Sequence, residues 1–167
     1  MANRKNVSTM TAAKRTQLRT LLDAFISEPV NNPVVEHLNA AMPLMIHEEG
    51  FLAWHQHFLA EAENWLVLNG GADFVPMPFW DPAKAIPVEL DNGNTSVFLP
   101  LPANLKPAAL ASVHTYLGIN TRMLPYHGLV HDNAGGNMPD PDNSPSDPIF
   151  WPFHAFLVSI YEKWRGK

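Results

Sequence analysis

The chain has 167 residues, 46% of them hydrophobic, which suits one domain with a real core and argues against disorder. Its formal net charge is −5 with no basic patch, so neither nucleic acid nor an anionic membrane surface is an expected partner. No cysteine is present, which excludes disulfides, thiolate metal sites and a cysteine nucleophile. No stretch of about 18 apolar residues exists to span a bilayer. The opening "MANRKNVSTMTAAKRTQ" lacks the apolar centre of a secretory signal, so the expected location is cytoplasmic or unknown.

The elements follow in chain order. Leu18, Leu21, Leu22, Phe25 and Ile26 recur at helical spacing, which predicts a first helix over 11–26 with Pro29 beyond its end. Asn32 is a helix cap and Pro33 a first helical residue, so a second helix starts there, carries Val34, Leu38 and Ala41 inward, and stops before Pro43. A third covers 53–68 and ends at "NGG", 69–71. Residues 72–106 are rich in proline and turn formers and read as a long wrapping connection with a short strand or two. A fourth helix is expected over 107–117, and a fifth holds His127 and His131 and ends before Gly135 and Gly136. The last is expected to be capped by Asp147, to take Pro148 at its first position and to run to Trp164. The fold class is therefore mainly α: one domain over 1–167, a helical bundle with long proline-rich connections.

Eight histidines are many for this length. His127 and His131 stand four apart, so on a helix they share one face and can present two imidazoles to one ion. The same spacing occurs in the zinc-protease motif H-E-x-x-H, but Gly128 stands where that motif needs its glutamate base. His154 sits among Phe150, Trp151, Phe153, Phe156 and Leu157, and a buried imidazole needs a polar partner or a metal. His37, His47 and His55 fall in the N-terminal half and His127, His131 and His154 in the C-terminal half; two groups of three suggest two metal ions. His57 is two residues from His55, points about 200° away on a helix, and is read as a surface residue. An all-imidazole donor set disfavours magnesium and calcium, and the Glu-x-x-His pattern of carboxylate-bridged di-iron bundles is missing. Zinc and copper both suit imidazole; ligand type alone leaves zinc open.

Several stretches resemble the tyrosinase and catechol oxidase family of type 3 dicopper proteins. "FLAWHQHFLAEAE", 51–63, is similar to the family's first copper motif. "HGLVHDNAGGNM", 127–138, and "SPSDPIFWPFHAF", 144–156, are similar to the two parts of its second. "MPFWDP", 77–82, resembles the stretch between them. The resemblance covers about residues 30–164. It implies a four-helix-bundle core with a dinuclear copper site: His37, His47 and His55 on one ion and His127, His131 and His154 on the other. His37 rests most on the resemblance, because the connection to His47 is short; Glu36 or a water is the alternative there. It also implies O2 as co-substrate, phenols or catechols as substrates, and oxidation of o-diphenols to o-quinones. A non-catalytic O2 carrier and a two-zinc hydrolase are the competing readings. Asp147, Asp81 and Asn133 are candidates to orient the rings, and Phe150 and Phe58 to wall the site.

The departures bear on the activity. Members with strong monophenol hydroxylation carry Asn where this chain has Gly128, and a glutamate upstream where it reads "YLGINTRML", 116–124. Gln56, Val158 and Phe153 replace a usual arginine, aspartate and histidine. The resemblance therefore implies diphenol oxidation with weaker hydroxylation of monophenols such as tyrosine.

Overall fold

The computed structural model describes residues 3–41 and 50–166. Its α-helices are α1 (Ala12–Ile26), α2 (Pro33–Ala41), α3 (Phe51–Leu68), α4 (Pro107–Leu110), α5 (Tyr116–Ala134) and α6 (Phe150–Arg165), joined by short 3₁₀ turns. Among the described residues there is no strand, only isolated bridges at Asn6–Phe79 and Asn94–Gly135. No described helix is long and apolar enough to cross a membrane.

The N-terminal helices start where their caps stand. Thr11 Oγ1 accepts from the Lys14 amide at 3.3 Å, and Leu18, Leu22 and Phe25 form the buried stripe of α1. Asn32 caps α2, its Oδ1 accepting from the amides of Val34 and Val35 at 3.0 and 3.3 Å. Its Nδ2 donates backwards to the carbonyls of Ile26 and Glu28, so one side chain ties the end of α1 to the start of α2. In α3, Phe51, Leu52, His55, Phe58, Leu59, Ala62 and Leu66 are buried, a stripe at helical spacing that includes one histidine. The helix stops at Asn69, with Gly70 at φ 81° and the Gly71 amide reaching back to the Leu66 carbonyl at 2.7 Å.

The helix expected over 107–117 is two pieces. α4 is a single turn, and α5 begins at Tyr116 because Thr115 is extended and its Oγ1 caps the Gly118 amide at 3.1 Å. α5 then runs through Pro125, an exposed position. α6 also starts later than expected. Asp147 is not its cap residue; the helix opens at Phe150, with the first bond from the Phe153 amide to the Ile149 carbonyl at 3.0 Å. Pro152 lies in the first turn, where amides have no acceptor inside the helix, so its missing N–H costs nothing.

α6 is the central helix. Its residues from Phe150 to Val158 are all buried, and α3 is its main partner. The connection over 72–106 wraps around it without the expected strands, through 3₁₀ turns at Ala72–Phe74, Val88–Leu90 and Ala103–Leu105. The fully buried Trp80 docks that connection, its amide donating to the Pro152 carbonyl at 2.9 Å.

Candidate metal centre

α2, α3, α5 and α6 each turn histidine inward. His37, His55, His127, His131 and His154 are between 1% and 9% exposed. Their rings form one continuous cluster. The His37 centroid is 6.0 Å from His55, and His55 stacks on His154 at 4.6 Å with 9° between planes. His154 is 5.3 Å from His127 and 5.4 Å from His131, and the last two are 4.4 Å apart. His47 lies outside the described residues. His57 is an exposed residue beside Glu61, as expected, and His114 is exposed as well.

The ring nitrogens are aimed by the backbone. Nδ1 of His55 is 2.8 Å from the Phe51 carbonyl, Nδ1 of His154 is 2.8 Å from the Phe150 carbonyl, and Nδ1 of His131 is 2.7 Å from the Met138 carbonyl. A carbonyl oxygen only accepts, so each Nδ1 carries the proton and donates it. In the neutral ring this leaves the lone pair on Nε2, the tautomer that metal-ligating histidines commonly use when their other nitrogen is tied to a carbonyl. Burial first, and then the neighbouring His55, His127 and His131, push His154 well below the usual histidine range, so its ring is neutral.

Nε2 of His127 and Nε2 of His154 face each other at 3.2 Å. With the His154 proton on Nδ1, that contact needs a proton on His127 or a cation between the two rings. Two imidazole nitrogens, each about 2.0–2.1 Å from one ion at a near-tetrahedral angle, stand about 3.3 Å apart. The donor set therefore fits a metal. The tightest group is His55, His127 and His154, whose donor atoms all lie within 4.8 Å of one another. That trio crosses the two sequence groups, with His37 adjoining it on one side and His131 on the other. No carboxylate among the described residues belongs to the group.

The walls are aromatic. Phe150 packs on His154 at 3.9 Å and edges His37 at 5.5 Å, and Phe58 stands 6.0 Å from His37, as expected of both. Phe51 lies 4.7 Å from His127, and Phe153 stacks parallel to His127 at 6.0 Å. The side chains expected to orient the rings do other work. Asp81 closes a turn onto the Ala83 amide, and Asn133 donates to the Leu129 carbonyl of its own helix. Asp147, fully buried, accepts from Asn94, Asn137 and Ile149. The carbonyls of Phe51, Met138 and Phe150 hold the rings instead, and backbone atoms leave no mark in a sequence.

Residues 103–167 match the family model of the common central domain of tyrosinase. The match contains α4, α5 and α6 and with them His127, His131 and His154. No curated protein and no solved structure matches the chain. This C-terminal segment, which brings His127, His131 and His154 to the cluster, is similar to the tyrosinase central domain.

Proposed function

We propose that the protein is a type 3 dicopper oxidase that uses O2 to oxidise o-diphenols to o-quinones, with weaker hydroxylation of monophenols such as tyrosine. The observation that carries this reading is the buried cluster of imidazoles in which Nδ1 of His55, His131 and His154 lies against a backbone carbonyl, with no carboxylate of the described residues in the close trio. Such a set suits copper, which it can hold in both oxidation states. His37, His47 and His55 are assigned to one ion and His127, His131 and His154 to the other. When bound, copper supplies the electron transfer between the phenol and O2.

The chain's own residues bind and orient. Phe51, Phe58, Phe150 and Phe153 pack around the imidazoles and hold the rings in a buried aromatic setting. An o-diphenol needs no strong base from the protein. A monophenol must lose a proton from a group whose ordinary pKa is about 10. Asp147, the buried carboxylate of the described residues, is committed to three donors and cannot serve. Gly128 has no side chain and so contributes no polar group, although a Cβ there would meet nothing within 4 Å.

A second reading follows from the close trio: a single ion on His55, His127 and His154. The experiment that tests the proposal is O2 uptake and quinone formation on catechol by copper-loaded protein. Catechol-dependent O2 consumption with quinone formation supports it. Reversible O2 binding without quinone would make the protein a carrier, and hydrolytic activity with zinc alone would make it a hydrolase; either overturns the proposal.

A further inference from the structure

Asp147 is fully buried, yet it is neither a ligand nor a helix cap. Burial pushes its carboxyl up, and Asn94 and the amides of Asn137 and Ile149 pull it back. Its Oδ2 accepts from Asn94 Nδ2 at 2.8 Å and from the Asn137 amide at 3.0 Å, and its Oδ1 accepts from the Ile149 amide at 3.2 Å. Asn137 precedes Met138, whose carbonyl holds His131. Ile149 precedes Phe150, whose carbonyl holds His154. One carboxylate thus grips the backbone one residue before each of two orienting carbonyls.

The surroundings make this grip specific. The turn after α5 is closed by the Met138 amide on the Gly135 carbonyl at 3.1 Å, and Asn94 donates to that same carbonyl at 3.2 Å. Asn137 Nδ2 donates to Ser146 Oγ at 2.8 Å, which fastens the turn to the segment before α6. Gly136, at φ 58°, leaves the room; a Cβ there would lie 2.4 Å from Asp147 Oδ2 and 2.5 Å from Asn94 Nδ2. His55 is different. Its carbonyl partner, Phe51, belongs to the first turn of α3 and has no bond to this network.

We propose that Asp147 is a positioning residue for the histidine cluster: through the amides of Asn137 and Ile149 it sets the Met138 and Phe150 carbonyls that aim His131 and His154, and it leaves His55 alone. The inference concerns the same site as the proposed oxidase, and it rests on that reading only for its consequence in copper binding.

The test is read on the metal-free protein, by nitrogen NMR of the histidine side chains in wild type and Asp147→Asn. The amide of asparagine can accept from only one side, so one of the two grips is lost. The expected result is Nδ1–H tautomers at His131, His154 and His55 in the wild type, with mixed or altered tautomers at His131 or His154 and an unchanged His55 in the variant. Copper affinity should fall about 10–100-fold, the usual effect of removing an outer partner of a ligating histidine. Unchanged tautomers at both His131 and His154 would overturn the proposal, and so would equal change at all three, which marks general loosening. Should Asp147→Asn fail to fold, Asn94→Ala removes one donor to Oδ2. There His131 should move while His55 stays, and any other pattern overturns the proposal. Since the tautomers are read without metal, a failure of the oxidase reading leaves this result separately visible.

Discussion

The two halves of the histidine cluster are built differently. In the C-terminal half, His127 and His131 stand one turn apart on α5, and His154 enters from α6 with its ring held by its own helix. The turn between these helices is fastened by Asp147, Asn94 and Asn137. In the N-terminal half, His37 and His55 sit on separate helices, and α2 is anchored at its start by one side chain, Asn32. The first half is set by spacing within helices and by a polar network; the second by the packing of aromatic rings around His37 from Trp54, Phe58 and Phe150. Damage to the C-terminal half should therefore show in metal binding first, and damage to the N-terminal half in local order first.

The largest effect should come from His154→Ala. This ring touches or neighbours His55, His127 and His131, so its loss should abolish catechol oxidation and lower copper from two per chain to about one. Copper analysis and O2 uptake on the purified variant check both. Gly136→Ala comes next. It places a methyl group on Asp147 and Asn94 at a left-handed backbone position, and strain of about 1–3 kcal/mol should appear in denaturant unfolding, with the clash adding to it. Copper added to the wild type should raise the melting temperature, because it binds the folded chain; at a hundred times its dissociation constant the gain is about 2.7 kcal/mol. A melting curve that ignores copper would count against a preformed site.

Smaller effects sharpen the contrast. Asn32→Ala should cost about 1 kcal/mol as a lost cap and weaken the half of the site that holds His37, while the His131 and His154 ring signals stay in place. Gly128→Asn should change stability least, since its side chain enters open space on a helix. Its readout is the ratio of rates on tyrosine and on its catechol counterpart, which should rise. Comparable wild-type rates on the two substrates would show that the phenolic proton leaves by another route.

Much of this architecture was legible because the chemistry is local. Asn32 marks a helix start because its side chain bonds the nearest amides, and Pro33 because its fixed φ suits a first helical position; the structure starts α2 at those marks. The pairing of His127 with His131 follows from helical spacing, and the burial of His154 from its apolar neighbours. Other features depend on distant parts of the chain. The break before Tyr116 turns on one extended residue, Thr115, in a stretch with no glycine or proline until Gly118. Asp147 bonds the Ile149 amide two residues on, as a cap would, but its other partners, Asn94 and the amide of Asn137 ten residues back, lie outside any local pattern. The ring-orienting carbonyls were invisible for the simplest reason: every residue has one.

The central claim, a dicopper oxidase, is met most directly by counting metal. Copper-loaded protein, freed of loose ions, is analysed for copper per chain beside its O2 uptake on catechol. The account predicts two copper ions per chain and O2 consumption that yields quinone. One copper per chain with full oxidation would replace the pair by the single ion of His55, His127 and His154, and no copper with no O2 uptake would contradict the account outright.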